Sequence, residues 1–302
     1  MLSSRHAPVL DKGYAKLVGM MIDFEDLDAV ADFSPGSRGV YLDVVPEDLT
    51  LDAQIARAAR VSYAEGTKSV RSEAGLIDYL MRHRHTSPFE QVVFKFKLKM
   101  PLFVAQQWIR HRTARLNQES ARYSVVKDEV YQPTLWRAQD DVNKQGSAGV
   151  IAGAAQADFD QERHENVREA FALYHHMLDH GVARELARTH LPVGTYTSMV
   201  WQMDLHNLMH FLSLRMDEHA QYEIRLYAQA LYDLVQPLAP LAFASFENHV
   251  LGAVTFSGDE MALIREVLDY NTDIEDLEAA LSERGVNKSR RREFLAKIGV
   301  NE

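Results

Sequence analysis

The sequence predicts a mixed fold of helices and strands, in one large domain or two small ones. Three observations carry this. A chain of 302 residues that is 46% apolar and 25% charged has ordinary globular composition and enough apolar material for a sizeable core. Phe94, Phe96, Leu98 and Met100 alternate with Lys95, Lys97 and Lys99, the period of a strand with one wet face. Elsewhere apolar residues recur at helical spacing, as in Val167, Phe171, Tyr174 and Leu178.

The elements follow in order. Residues 1–45 are mixed and turn-rich, with Ser34–Gly39 a clear break. From Leu51 the spacing of Ile55, Ala58 and Ala59 predicts a helix. A second helix is expected from about Ser72 to Arg84, with Leu76, Tyr79 and Leu80 facing inward. Pro101 stops the alternating strand, and the segment after it reads as a helix with proline near its first position. Residues 138–158 are the loosest stretch. Gly146, Gly149 and Gly153 lie there without the spacing of a phosphate-binding loop, so a flexible surface loop is the better reading. A long helix follows, Gly181 interrupts it, and a further helix ends before Pro192. Another helix spans about Asp204 to Asp217, with Asp204 placed to cap it. Ser257 with Glu260, and Thr272 with Glu275, have the form of capping boxes. Both fall in residues 252–302, read as a small helical appendage; its basic run Lys288–Arg292 is a solvated helix end or an anion contact.

Composition narrows the function. The 33 basic against 43 acidic residues leave a net charge of -10, which argues against a general nucleic-acid binder. Without cysteine the chain has no disulfide, no Cys-ligated metal and no thiol nucleophile. No run of apolar residues reaches the length of a membrane span, and the start lacks a signal-peptide core. The expected location is the cytoplasm, with no membrane and no nucleic-acid partner.

Two regions concentrate functional side chains. Arg82–Glu90 leads into Gln106–Ser124, which holds Arg110, Arg112, Arg115, Arg122 and His111. Planar guanidiniums suit phosphate or carboxylate, and Asn117, Gln118, Ser120 and Tyr123 suit a planar heterocycle. A solvated basic loop would have the same composition. Asp204–Arg225 is the second region. There His206 and His210 share a helix face, as a metal pair or as a hydrogen-bonded, partly buried pair. Arg215 is nine positions after His206, on the opposite side of an ideal helix. The two therefore serve different pockets, or one pocket on each of two subunits.

Four ordered matches resemble the flavin-dependent thymidylate synthases. Arg110-His111-Arg112, then seven residues, then Ser120 is similar to the family's signature. His85-Thr86-Ser87-Pro88-Phe89-Glu90 resembles an upstream segment. Glu185-Leu186-Ala187-Arg188 with Leu191-Pro192 and Tyr196-Thr197 resembles the segment of another nucleotide-binding arginine. Leu212-Ser213-Leu214-Arg215 with His219-Ala220-Gln221 and Glu223 resembles the C-terminal signature. The matches cover about residues 50–235, so the expected domains are a synthase domain over 1–251 and a helical extension over 252–302.

The resemblance implies an α+β fold, a twisted, mainly antiparallel sheet flanked by helices, assembled as a homotetramer with sites between subunits. It implies dTMP synthesis from dUMP with a methylene group from 5,10-methylenetetrahydrofolate. The hydride would come from NADPH through FAD. By this resemblance Gln107, Arg110, Gln118, Ser120, Arg122, Arg188 and Arg215 bind dUMP, and Arg215 stabilises charge on the uracil. Ser87, Arg110, His111, Arg112, Gln118, Asp204, His206 and His210 meet FAD. Gln118 stands where some members have Glu; Asp204, His206 and His210 stand where some have Asn, Arg and Asn. Glu90 matches an acid near the active site or is a structural carboxylate, and Arg115 has no assigned contact. No metal is expected. Two other classes fit parts of the pattern: a non-catalytic nucleotide-binding protein on the same arginines, and a metallohydrolase on His206, His210 and His219.

Overall fold

The alternating strand lies at the centre of the sheet. The computed structural model describes residues 6–22, 50–62, 72–141, 146–151, 153–271 and 274–298. Among these, the strands are β1 (His6–Val9), β2 (Gly13–Met20), β3 (Val93–Pro101), β4 (Arg115–Gln118), β5 (Arg137–Gln139), β6 (Ser147–Val150) and β7 (Tyr196–Asp204). Five of them form one sheet in the order β1-β2-β3-β7-β4, and every neighbouring pair is antiparallel. β3 and β7 pair without interruption from Val93 opposite Asp204 to Pro101 opposite Tyr196. Phe94, Phe96 and Leu98 thus face Met203, Trp201 and Met199 on one buried face, while Lys95 and Lys97 point to the wet one.

Helices cover the buried face. They are α1 (Asp52–Arg60), α2 (Glu73–Arg82), α3 (Ser87–Glu90), α4 (Leu102–Trp108), α7 (Leu205–Arg215), α8 (Tyr222–Val235) and α9 (Pro240–Phe246), while α5 (Ala154–Asp179) and α6 (Arg184–Ala187) build a second, smaller core of Phe171, Tyr174 and Ala187 with Val130. Trp108 of α4 packs against Trp201 at 5.2 Å and Phe211 of α7 at 4.5 Å between ring centroids. All three are fully buried. Truncating such an aromatic to alanine costs about 3–5 kcal/mol. The cluster therefore anchors the chain just before Arg110 to the helix that ends in Arg215. Ser72 caps α2 by accepting from the Gly75 amide, and Asp204 caps α7 by accepting from the Asn207 amide at 2.9 Å. Among the described residues no helix is long and apolar enough to cross a membrane.

The chain divides into two compact units, Met1–Leu251 and Gly252–Glu302. The second holds α10 (Gly258–Asn271), α11 (Ile274–Glu283) and α12 (Lys288–Ile298). The capping box is present at its first helix: Ser257 N donates to Glu260 Oε2 at 2.7 Å and Glu260 N to Ser257 Oγ at 3.3 Å. Thr272 lies outside the described residues, as does the Ser34–Gly39 break. The Lys288–Arg292 run opens α12.

Three segments differ from the sequence reading. The turn-rich start contains the β1–β2 hairpin; β1 is only four residues long, and in β2 the small Gly13 and Ala15 take buried positions, which weakens the alternation. Gly13 is obligatory there: a Cβ would lie 1.9 Å from the Tyr227 hydroxyl and 2.7 Å from the Lys99 carbonyl oxygen. The loose stretch 138–158 contributes to a two-stranded ribbon, β5 with β6, too short to show periodicity. Gly149 and Gly153 adopt φ of 61° and 81° there, a turn-making conformation. The helix expected before Pro192 is only α6 followed by a 3-10 turn, Arg188–His190.

Candidate functional site

The arginine signature begins where α4 ends. Gln107 and the buried Trp108 occupy its last turn, and the amides of Arg110 and His111 bond back to the carbonyls of Gln107 and Trp108. The side chains of Arg110 and Arg112 project into solvent, with no hydrogen bond or ion pair among the described residues. His111 turns inward. Its ring meets Phe211 at 4.7 Å, and its Nε2 accepts from Arg215 Nε at 2.9 Å. Burial, then the charges of Arg215 and His210, push its pKa down to about 4. It is thus a neutral imidazole at pH 7 with its proton on Nδ1, because Nε2 is the acceptor. Burial also lowers the pKa of the half-buried Arg215.

Helix α7 places the rest of this group. Both Asp204 carboxylate oxygens are engaged by Asn207, Oδ1 with its amide and Oδ2 with Nδ2 at 2.8 Å. His206 is half-buried and His210 exposed. The charges of Arg215 and His210 both bear on His111, while no described contact joins His206 to Arg215. Ser87 begins the short α3, exposed beside the buried Pro88, and Glu90 ends it, exposed. His219 pairs with Asp217 at 2.8 Å rather than with the other histidines. Among the described residues no group of three His, Cys, Asp or Glu could hold a metal.

Strands place the second group. Gln118 ends β4 opposite Met199, and its Nε2 donates to Thr197 Oγ1 at 3.1 Å. The turn after it is held by Ser120, whose Oγ accepts from the Arg122 amide at 3.3 Å. Arg122 forms an exposed ion pair with Glu185 at 3.2 Å. Arg188 is exposed with no partner among the described residues. Gln118, Ser120 and Arg188 line a cavity of about 720 Å³, which the β3 lysines Lys97 and Lys99 also reach. Arg122 lines a neighbouring hollow of about 460 Å³ with Arg184 and Glu185. The unassigned Arg115 starts β4 opposite Gln202, exposed.

Sequence reasoning missed several members. Lys97 and Lys99 stand on the wet face of β3, and their period-two spacing is the signal that puts them together on whatever that face bounds. Lys99 is neutralised by Glu129 at 2.9 Å, whereas Lys97 has no partner among the described residues. Gln107 donates to Gln221 Oε1, so the C-terminal signature touches the arginine signature a second time.

Known proteins resemble this chain in sequence and in fold. A family model described as thymidylate synthase complementing protein matches residues 45–241. The flavin-dependent thymidylate synthase of Thermus thermophilus is 45% identical over 295 residues, spanning 96% of this chain and 95% of that protein. That match reaches into both the first 40 residues and the C-terminal unit, beyond the range of the sequence motifs. The corresponding protein of Treponema denticola is 52% identical over 220 residues, 72% of this chain and 83% of its own length. A crystal structure of the UMP/dUMP methylase PolB from Streptomyces cacaoi, bound with 5-Br dUMP, superposes with a TM-score of 0.65 at 28% identity. It covers 81% of this chain and 99% of that one.

Proposed function

The chain belongs to the flavin-dependent thymidylate synthases, and from that premise we propose that it converts dUMP to dTMP with methylenetetrahydrofolate, NADPH and FAD. The observation that carries the reading is the bond from Arg215 to His111. Two segments that each look like nucleotide-binding signatures meet there, across 104 positions of sequence.

The donor set suits both ligands. Unpaired guanidiniums at Arg110 and Arg112, with imidazoles at His111, His206 and His210, match the diphosphate and ring system of FAD. Ser87, Gln118 and Asp204 complete that set; Asp204 acts through its hold on the start of α7. When bound, FAD supplies hydride transfer, and the protein supplies binding, orientation and charge. For dUMP, Ser120, Arg122 and Arg188 take the phosphate, and Gln107, Arg110, Gln118 and Arg215 take the rest of the nucleotide.

The chain has no cysteine, so uracil cannot be activated by a thiolate adduct. The ring must instead become electron-rich by building negative charge on its carbonyl edge. Arg215 is arranged for this. His111 anchors its Nε, which leaves the terminal fork for the ring, and partial burial strengthens the fork's field. The exposed arginines and the family resemblance support a homotetramer with sites completed by neighbouring subunits.

The test is reconstitution. The purified protein binds FAD with its yellow absorbance and forms dTMP only when dUMP, methylenetetrahydrofolate and NADPH are all supplied. Failure to bind FAD at any concentration overturns the reading. Stoichiometric metal in an enzyme without flavin would favour the hydrolase class instead.

A further inference from the structure

Glu223 has no role in the function proposed above, yet it is 2% exposed in the first turn of α8. A buried carboxylate stays charged only if its lone pairs are met. Oε1 accepts from Arg137 Nη2 at 2.6 Å and from the Tyr131 hydroxyl at 3.1 Å. Oε2 accepts from Gln221 Nε2 at 2.9 Å. Burial raises the pKa of this carboxyl, but the bonds from Arg137 and Gln221 outweigh it and leave the pKa below the usual range.

An ionised carboxylate only accepts hydrogen bonds, and this fixes the amides next to it. Gln221 must present its nitrogen to Glu223, which turns its oxygen toward Gln107. Gln107 answers by donating from Nε2 to that oxygen. Gln107 Oε1 has no partner among the described residues. An isolated glutamine amide can present either end to a ligand; here a buried charge decides which end.

We propose that Gln221 and Glu223 are positioning residues that lock the Gln107 amide, leaving its carbonyl oxygen for a hydrogen-bond donor on the nucleotide. The proposal rests on reading Gln107 as a dUMP contact. The donor is a sugar hydroxyl or a ring N–H, since a phosphate dianion has no proton to offer that oxygen.

The test uses the FAD-loaded enzyme and three variants: Gln107→Leu, Gln221→Leu and the double. Gln221 is exposed, and its loss leaves the Arg137–Glu223–Tyr131 bonds in place. Calorimetry reads dUMP affinity, and steady-state dTMP formation separates KM from kcat. Gln221→Leu should weaken dUMP binding about fivefold, on the order of one hydrogen bond, with the loss in KM and kcat within about threefold of wild type. If the relay acts through Gln107, the double variant is no worse than Gln107→Leu alone. Additive losses overturn the proposal, and so does wild-type affinity in Gln221→Leu when Gln107→Leu binds poorly; in both cases Gln107 remains a nucleotide contact. An unaffected Gln107→Leu removes the nucleotide reading of that residue and the relay with it. Should Gln221→Leu not fold, Gln221→Met, unbranched and of similar length, carries the same expectations.

Discussion

The helix-borne and strand-borne halves of the candidate site differ in how much of their geometry this one chain supplies. Around α4 and α7, side chains hold one another: Arg215 holds His111, Phe211 backs the imidazole, and Gln221 holds Gln107. Around β4, Arg188 is unpaired among the described residues and Arg122 has only an exposed ion pair. An exposed pair of that kind is worth little. On the proposed roles, the difference teaches that the chain prearranges the groups that would polarise a ring and leaves open those that would capture a phosphate. Prearranged dipoles and charges need no reorganisation as the reaction proceeds, whereas phosphate capture tolerates mobile cations.

The largest expected effect would break the comparison outright. Arg215→Ala should lower dTMP formation on the order of 10²–10³-fold, the usual cost of deleting one electrostatic stabiliser. NADPH oxidation by the bound flavin should persist. Arg215→Lys keeps the charge and loses the planar fork, so it should recover only part of the loss. Near-wild-type rates in both assays would place the chemistry outside the helix-borne half.

A smaller effect sharpens the other side. Arg188→Ala should weaken dUMP binding about tenfold while thermal unfolding is unchanged, because no described contact is lost with it. Wild-type dUMP binding should weaken with added salt, and the variant should respond less steeply. Salt-indifferent binding in the wild type would remove the phosphate from these arginines. Smaller again is Ser120→Ala. Among the described residues its hydroxyl accepts only from the Arg122 amide and bonds to no His or carboxylate, so no triad forms among them. Activity should fall a few-fold and remain measurable; complete loss in a variant that still folds and binds both FAD and dUMP would indicate covalent catalysis.

The smallest effect is read by NMR titration of His111. Its folded pKa of about 4 lies below the ordinary 6.5. Between those values the unfolded chain holds more protons, so stability from this group is present above about pH 6.5 and is lost as pH falls toward 4. In Arg215→Ala the His111 pKa should rise, but only part of the way, because burial is the larger cause. No rise at all would mean that the Arg215 charge is not felt at the imidazole.

How legible this was in the sequence depends on the range of the signal. The β3 alternation, the Asp204 cap and the Ser257–Glu260 box are local patterns, and each has its expected structure. The β1–β2 hairpin was illegible because Gly13 is required by Tyr227 and Lys99, both distant in sequence. β4 was likewise hidden, since RLNQ forms a strand only through its pairing to β7. The site residues were recognisable as types, but the bond between His111 and Arg215 needed the Trp108–Phe211 packing to bring α4 and α7 together.

The unbroken register of β3 with β7 also has a kinetic consequence. Pro101 and Tyr196 are adjacent in the sheet, with the whole intervening chain looped between them. Closing a loop of roughly 100 residues costs about 4 kcal/mol of chain entropy before any pairing is gained. Such non-local topology folds slowly. On a ribosome, β3 emerges long before β7 exists, with Phe94, Phe96 and Leu98 waiting for Met203, Trp201 and Met199. The interleaved Lys95, Lys97 and Lys99 then act as gatekeepers, charging the nascent strand so that copies of it repel one another until the partner arrives.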